Sequence, residues 1–295
     1  MLDVRRLRLL RELAHLGTIA AVAEALSFSP SAVSQQLSVL EKEAGVPLLE
    51  RTGRRVSLTP AGLGLVRHAE AVLALLEQAG AELAHAKRGL AGPLRIGTYP
   101  SAARSIIPAV LAELAGWHPG LEPMVTEVDP AAVGAALRAG ELDVALVHEY
   151  DLVPTEPVPG LAVTGPLFTE PMYLAARAPG TVAEQRGAPW ITSPPGTLCH
   201  TMAVRACEAA GFAPRIRHQI DDFTTVLALV AAGQGVALVP QLGTVGLPPG
   251  VVLTRLPMYR RTRAAFRAGA GSHPAVSAFV SALHTAVPAG LGGGS

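Results

Sequence analysis

The chain has 295 residues, 49% of them apolar and 16% charged, with a net charge of +1. Such a length fills about two domains with ordinary cores, and the near-neutral balance excludes a polycation that holds nucleic acid by bulk charge alone. Two cysteines make no disulfide framework, and Asp3, Arg5, Arg6 and Arg8 interrupt any apolar run at the start.

In chain order, the first organised stretch runs from Thr18 to Lys42. Two short apolar-periodic segments meet at a break near Ser27-Phe28. The second opens with Ser29-Pro30, an N-cap hydroxyl followed by proline at the first helical position. A helix, a tight turn and a second helix are expected. On a wheel of about 100° per residue, Val33, Leu37, Leu40 and Ala44 share one side of the second helix. Ser31, Ser34, Gln35, Ser38 and Lys42 take the other. The first face buries against Ile19, Val22 and Leu26. The second suits a DNA groove: small hydroxyls permit close approach, the Gln35 amide matches an adenine edge, and Lys42 meets a phosphate. A solvated face on an ordinary helix hairpin would carry the same spacing.

Residues 1–60 hold eight Lys/Arg against six Asp/Glu, so DNA affinity depends on where the charge sits. Arg5, Arg6 and Arg8 form one cluster; Arg51, Arg54 and Arg55 form another, where a short two-stranded wing would reach phosphates. Thr59-Pro60 repeats the cap-then-proline signal, and helix is expected to about Gly89. Val66, Ala69, Leu73, Leu76 and Leu83 recur along it at heptad-like spacing, with Gly80 and Lys87 at the seam. This stripe needs a partner, either the chain's own domains or a second copy.

Beyond Pro93 strands alternate with helices. Strands are expected at 94–97, 121–128 and 143–147, with helices over 101–116 and 130–139 between them, a βαβαβ unit. A second set follows Pro166: strands at 172–175, 190–191, 215–220 and 235–239, and helices at 197–210 and 223–233. The chain returns through 262–267 and ends in a helix over 273–287, with 291–295 as a flexible tail.

From Leu2 to Gly62 the chain resembles the DNA-binding domain of LysR-type transcriptional regulators. The matching residues are Leu7, Leu10, Leu13, Gly17, Ala20, Ala21, Ala23, Ala25 and Leu26, then Ser34, Gln36, Leu37, Leu40, Glu41, Gly45, Leu48 and Arg51, and Val56-Ser57-Leu58-Thr59 with Ala61-Gly62. Gly140-Glu141-Leu142-Asp143-Val144-Ala145, Gly233 with Gly235-Val236-Ala237-Leu238-Val239-Pro240, and His273-Pro274-Ala275-Val276 resemble the family's effector-binding domain. The resemblance implies an α/β chain built as a winged helix-turn-helix over 1–59, a dimerisation helix over 60–90 and a two-lobed, periplasmic-binding-protein-like sensor over 91–290. Lobe I would span 93–163 and 265–288, and lobe II 164–264. Gln36, near the buried arc, is expected on a phosphate or the turn. The expected partners are double-stranded DNA, a small-molecule effector, a second copy in a dimer or tetramer, and RNA polymerase. No cofactor, no metal and no membrane are expected, and the place is the cytoplasm.

In such sheets ligands bind outside the carboxyl ends of strands, where helices begin. Those ends are Thr98, Tyr99 and Ser101 in one lobe and Pro195, Gly196 and Thr197 in the other. Asp129, His148 and Tyr150 are expected as further lining, with Asp222 and Phe223 closing the cleft. Ser101 and Thr197 equally fit plain N-caps, and a carboxylate-bearing effector is among the candidates. Peroxide-sensing members of the family use a cysteine pair in this lobe. Here Cys199 and Cys207 lie eight residues apart on an expected helix, about 12 Å by helical rise, beyond disulfide reach without unravelling. Buried thiols are the expectation, with redox sensing as the alternative, and Cys199-His200 with Cys207 lacks a fourth ligand for a metal. No nucleophile-elbow, phosphate-loop or zinc-helix motif is present, so no enzyme is expected. His148-Glu149 and Asp221-Asp222 are read as loop positions. A cytosolic solute-binding protein would explain the two lobes but leave residues 1–89 without a role.

Overall fold

The computed structural model describes residues 1–52, 55–85, 90–288 and 290–291, and only the backbone of Arg51, Thr52 and Arg55. Arg54 lies outside the described residues. Helix α1 (Val4–Leu16) starts on the Asp3 carboxylate, which accepts from the Arg5 and Arg6 amides, and stops at Gly17 in the left-handed region. Helix α2 (Ile19–Ala25) is capped by Thr18, and α3 (Pro30–Ala44) by Ser29, whose hydroxyl accepts from Ala32 N at 3.2 Å. The turn between them places Ser27 at φ 56°, an uncommon conformation for a residue with a side chain. Leu10, Val22, Val33, Leu37 and Leu40 form the head's core. Each large side chain so buried contributes roughly 1.5–3 kcal/mol. Strands β1 (Leu49–Thr52) and β2 (Arg55–Leu58) pair antiparallel as the wing.

Helix α4 (Pro60–His85) packs its first half on this head. At Gly62 an added Cβ would stand 2.2 Å from the Leu48 carbonyl oxygen, so only glycine lets the helix seat against the turn after α3. Ala69 is fully buried, whereas Leu75, Leu76 and Leu83 are exposed. The stripe is thus divided, partnered inside the chain near the head and bare further along.

The sensor is organised by one seven-stranded sheet in which residues 237–240, 168–176, 252–267, 144–150, 91–98 and 120–127 lie side by side in that order, with 161–163 pairing on 252–267. Lobe I holds β3 (Ala91–Thr98), β4 (Gly120–Glu127), β5 (Val144–Tyr150) and β6 (Leu161–Val163). Helices α5 (Pro100–Ser105) and α6 (Ile107–Trp117) pack there with α7 (Pro130–Ala139) and the last helix, α10 (Pro274–Ala286). The single helix expected over 101–116 is broken at Ile106, because Pro108 has no N–H to give and its ring crowds the preceding turn. Lobe II holds β10 (Ala237–Pro240), the parallel pair β8 (Pro189–Thr192) and β9 (Arg215–Gln219), and helices α8 (Leu198–Ala209) and α9 (Phe223–Ala231).

Two strands join the lobes. Strand β7 (Phe168–Ala176) and the sixteen-residue β11 (Val252–Arg267) run through both, and their register shifts between Arg255 and Tyr259, where the chain leaves one lobe for the other. The return strand is therefore ten residues longer than the expected 262–267. Leu291, assigned to a flexible tail, is 4% exposed and belongs to the lobe I core with Phe279 and Leu283, so its apolar side chain holds the end of the described chain in place. Among the described residues no helix is long and apolar enough to cross a membrane, and no cluster of side chains suits a metal.

The head sits on lobe I. Arg8 donates to the carbonyls of Arg138 and Ala139 at the C-terminal end of α7 (2.9 and 3.0 Å), where a cation meets the helix dipole. Glu12, 2% exposed, takes Arg11 on one oxygen and Arg138 on the other. Further along, Glu77 accepts from Arg267 at 2.8 Å, and His85 donates to the Ser272 carbonyl at 2.7 Å. Gly269, at φ 91°, brings its turn so close to α4 that a Cβ would lie 2.2 Å from the Ala74 oxygen.

Two glycine substitutions separate contact from propensity. Gly62→Ala should lower the stability of the head by about 1–3 kcal/mol through the clash with Leu48. Gly116→Ala, with nothing within 4 Å of the new methyl, should raise stability by up to about 1 kcal/mol. Urea denaturation followed by circular dichroism measures both; equal effects would reject the close-approach account of Gly62.

Candidate functional site

The cavity between the lobes is about 220 Å³ and is lined from both sides. Lobe I supplies Tyr99, Pro100, Ser101, Glu127, Val128, Asp129, Pro130 and His148; lobe II supplies Thr197, Leu198, Cys199, Asp221 and Phe223. Arg260 comes from the crossing strand β11. Of the residues named from the sequence, Tyr99, Ser101, Asp129, His148, Thr197 and Phe223 converge on it.

Arg260 forms the floor. It is 1% exposed, its Nε donates to Glu170 Oε1 at 2.8 Å, and Nη2 donates to Ser101 Oγ at 2.9 Å. Glu170, 0% exposed, accepts from Leu242 N on its other oxygen. The guanidinium also lies 4.8 Å from the centre of the Tyr99 ring. Burial works against the charge on Arg260, but the adjoining Glu170 more than offsets it and holds the group firmly protonated. Ser101 is thus no N-cap: the cap position of α5 falls on Tyr99, and the serine hydroxyl ties lobe I to the crossing strand.

Thr197 is a cap. Its hydroxyl accepts from His200 N and donates to the Pro194 carbonyl, so it lines the cavity with both hydrogen-bonding directions in use. Asp129 lines the rim while accepting from Ala131 N at 2.8 Å. Asp222 differs from expectation: it caps α9 through the Thr225 amide and hydroxyl, both at 2.8 Å, which hold its carboxyl low against the effect of burial, and Asp221 takes the lining position. Thr98 is 1% exposed beneath the strand end, Tyr150 is 2% exposed behind the wall, and Pro195 and Gly196 lie on an exposed turn outside the lining. Thr98 and Tyr99 alternate along extended backbone and so face opposite ways, Tyr150 is screened by Cys199, which takes its hydroxyl, and the turn that begins α8 faces solvent.

His148 is on strand β5, not in a loop. It is 6% exposed, stands edge-on to Tyr99 and Tyr150 (centroids 4.7 and 5.3 Å apart), and neither ring nitrogen has a hydrogen-bond partner. Burial, helped by Arg260, holds its pKa well below 6.5. Burial likewise lifts the Tyr99 phenol to about 12. Cys199 meets the Tyr150 hydroxyl at 3.0 Å; burial raises its thiol, although that hydrogen bond and Arg260 pull the other way. Burial lifts Cys207 to about 12. Neither thiol is an activated thiolate at neutral pH.

Sequence reasoning missed Arg260, Glu170, Glu127, Asp221 and Cys199 as parts of this site. Its one available signal was the Arg260-Arg261-Thr262-Arg263 run entering an apolar strand.

On the head, Ser31, Gln35 and Lys42 are exposed on one side of α3, with Ser34 and Ser38 half-buried beside them. Ser38 donates to the Ser34 carbonyl at 3.0 Å. Gln36 turns inward and accepts from Arg6 Nε at 2.9 Å, so it holds α3 to α1 and its acceptor is not offered to DNA. The side chains of Arg51, Arg54 and Arg55 lie outside the described residues.

The pH response of His148 follows from its depressed pKa. Below 6.5 the unfolded chain binds a proton that the folded chain refuses, so stability falls as pH falls, by up to about 1.4 kcal/mol per pH unit from this group. The stability difference between the parent and His148→Phe should therefore shift in favour of the variant between pH 7 and pH 5. A difference independent of pH would show that His148 takes up its proton in the folded chain as it does in the unfolded one.

Comparison with known proteins adds to this geometry. A profile described as the LysR substrate binding domain matches residues 87–288, and one described as the bacterial regulatory helix-turn-helix protein, lysR family, matches residues 4–63. AlsR, an HTH-type transcriptional regulator of Bacillus subtilis, is 32% identical over 247 residues, covering 78% of this chain and 80% of that protein. A probable hydrogen peroxide-inducible genes activator of Mycobacterium avium is 32% identical over 231 residues, covering 75% and 72%. A solved OxyR mutant of Corynebacterium glutamicum superposes with a TM-score of 0.58 at 28% identity over 97% of this chain and 92% of that one. The chain belongs to the LysR family of DNA-binding transcriptional regulators, with a helix-turn-helix head and an effector-binding domain.

Proposed function

We propose that this regulator reads DNA with α3 and couples that reading to a small molecule held between its lobes. The observation that carries the proposal is the pairing of two surfaces in one chain: a polar helix face backed by the head's core, and an interlobe cavity floored by a buried ion pair. In this reading Ser31, Ser34, Gln35 and Ser38 approach base edges, while Lys42 and the wing arginines Arg51, Arg54 and Arg55 meet phosphates. Tyr99, Ser101, Asp129, His148, Thr197 and Phe223 surround the effector. The exposed Leu75, Leu76 and Leu83 of α4 pair with a second copy, which sets two heads at the fixed spacing that a pseudo-palindromic site requires. A dimer or tetramer working beside RNA polymerase in the cytoplasm completes the scheme, with no catalysis by the chain itself.

The effector acts by its differential affinity for two lobe arrangements. Arg104 of lobe I reaches the Thr224 hydroxyl of lobe II, a contact that lobe opening would break. Peroxide sensing is a second reading, supported by Cys199 in the cavity wall and by the name of the mycobacterial relative. The raised thiols and the separation of Cys199 and Cys207 along α8 weigh against it. A peroxide response lost in Cys199→Ser would restore it.

The direct test is footprinting of the purified chain on the DNA beside its own gene, over a salt series. Two protected half-sites are expected. Gln35→Ala should relax preference at one base pair by about 1–3 kcal/mol, and Lys42→Ala should weaken all sequences alike and flatten the log–log salt slope by about one. Salt-insensitive binding without sequence preference would overturn the reading.

A further inference from the structure

The cleft's charge has a sign, and it is negative. Three carboxylates, Glu127, Asp129 and Asp221, stand in its wall. Among the described residues the one cation in the lining is Arg260, which Glu170 neutralises, and its Nε and Nη2 are occupied by Glu170 and Ser101. Arg104, outside the lining, keeps its charge but points at Thr224 and toward Asp222, the acid that caps α9. An incoming carboxylate therefore meets a guanidinium whose charge Glu170 already matches, with three like charges around it.

The remaining wall suits the opposite charge. His148 is 94% buried by its 6% exposure and has no partner at either ring nitrogen. As a neutral imidazole it carries one lone pair able to accept from an N–H and one N–H able to donate, so it serves an amine while the acids set the sign. Phe223 adds an aromatic face in the same cavity, and the negative face of such a ring attracts cations. Resting on the effector-responsive reading above, we infer that the cleft takes a small molecule bearing a protonated amine. The ammonium donates to Asp129 or Asp221 at the rim, and His148 accepts an N–H further in. This chemistry replaces the carboxylate effector considered from the sequence: helix starts favour anions, but the acids around these ones and the engaged arginine decide otherwise.

Three four-carbon probes of nearly equal length test the sign. Calorimetry on the full chain compares 1,4-diaminobutane, 1,4-butanediol and succinate, extended to a panel of other primary amines at millimolar concentration. The expected result is binding by the diamine or another amine of the panel, with neither the diol nor succinate matching it. Asp129→Asn keeps the helix cap, since its amide oxygen still accepts from Ala131 N, and should weaken the amine by about tenfold; Asp221→Asn should do the same. Binding of succinate in preference to the amines, equal binding of the diol, or silence across the amine panel would overturn the inference. Footprinting with the same probes separates the two readings. An amine that binds but leaves the footprint unchanged removes the coupling to DNA and keeps the ammonium site, whereas a footprint changed by succinate alone removes the ammonium site and keeps the coupling.

Discussion

The Arg260–Glu170 pair, buried between crossing strands, is the interaction on which the sensor's geometry depends. Arg260 stands on β11, Glu170 on β7, Ser101 at the start of α5, and Leu242 follows β10. One carboxylate and one guanidinium thus tie together both crossing strands and an element from each lobe. Such a pair gains little over an apolar replacement, but losing either partner leaves a bare charge in the interior, a cost of several kcal/mol. Its effect is to specify position. It fixes the crossing strands against both lobes and sets a carboxylate against the one guanidinium that would otherwise draw anions into the cleft.

The same floor makes the cavity unusual in polarity. Acids gather at the rim, where water still reaches Glu127, Asp129 and Asp221, while the deeper wall of Tyr99 and His148 is nearly dry. A ligand exchanges solvent for fixed groups in two stages, first charge against charge at the mouth and then hydrogen bonding where the local dielectric is low. Recognition in the second stage is the stricter, since a group that fails to satisfy His148 leaves a polar nitrogen stranded.

Local signals made much of this legible in advance. Ser29-Pro30 and Thr59-Pro60 announce their helices because a cap hydroxyl and a proline act within four residues, and Pro130 to Ala139 is bounded by Asp129 and Gly140 in the same way. Tyr99, Ser101, Asp129, His148, Thr197 and Phe223 were found through the rule that ligands sit at strand ends. Arg260 escaped because its burial depends on Glu170, ninety residues away, and nothing near it in the chain shows that pairing. Asp221 and Asp222 exchanged roles because which of two adjacent acids caps a helix is settled by one residue of register. The break at Ile106 is legible in Pro108; the seat of the head on lobe I is not, since Arg8, Glu12 and Arg138 are ordinary surface charges until the two domains meet.

That seat has a consequence for how a signal travels. Arg8, Glu12, Glu77 and His85 all reach lobe I, so head, α4 and lobe I are tied together, and in the proposed response it is lobe II that would swing on the crossing strands. A ligand that closes lobe II leaves the head where it was relative to its own lobe I. What such a swing would change is the outer profile of lobe II, which another subunit in contact with it would feel. In an assembly of this protein the message would pass in trans: one chain's sensor would reposition its neighbour's head, and a subunit isolated from its neighbours would bind its ligand without telling the DNA.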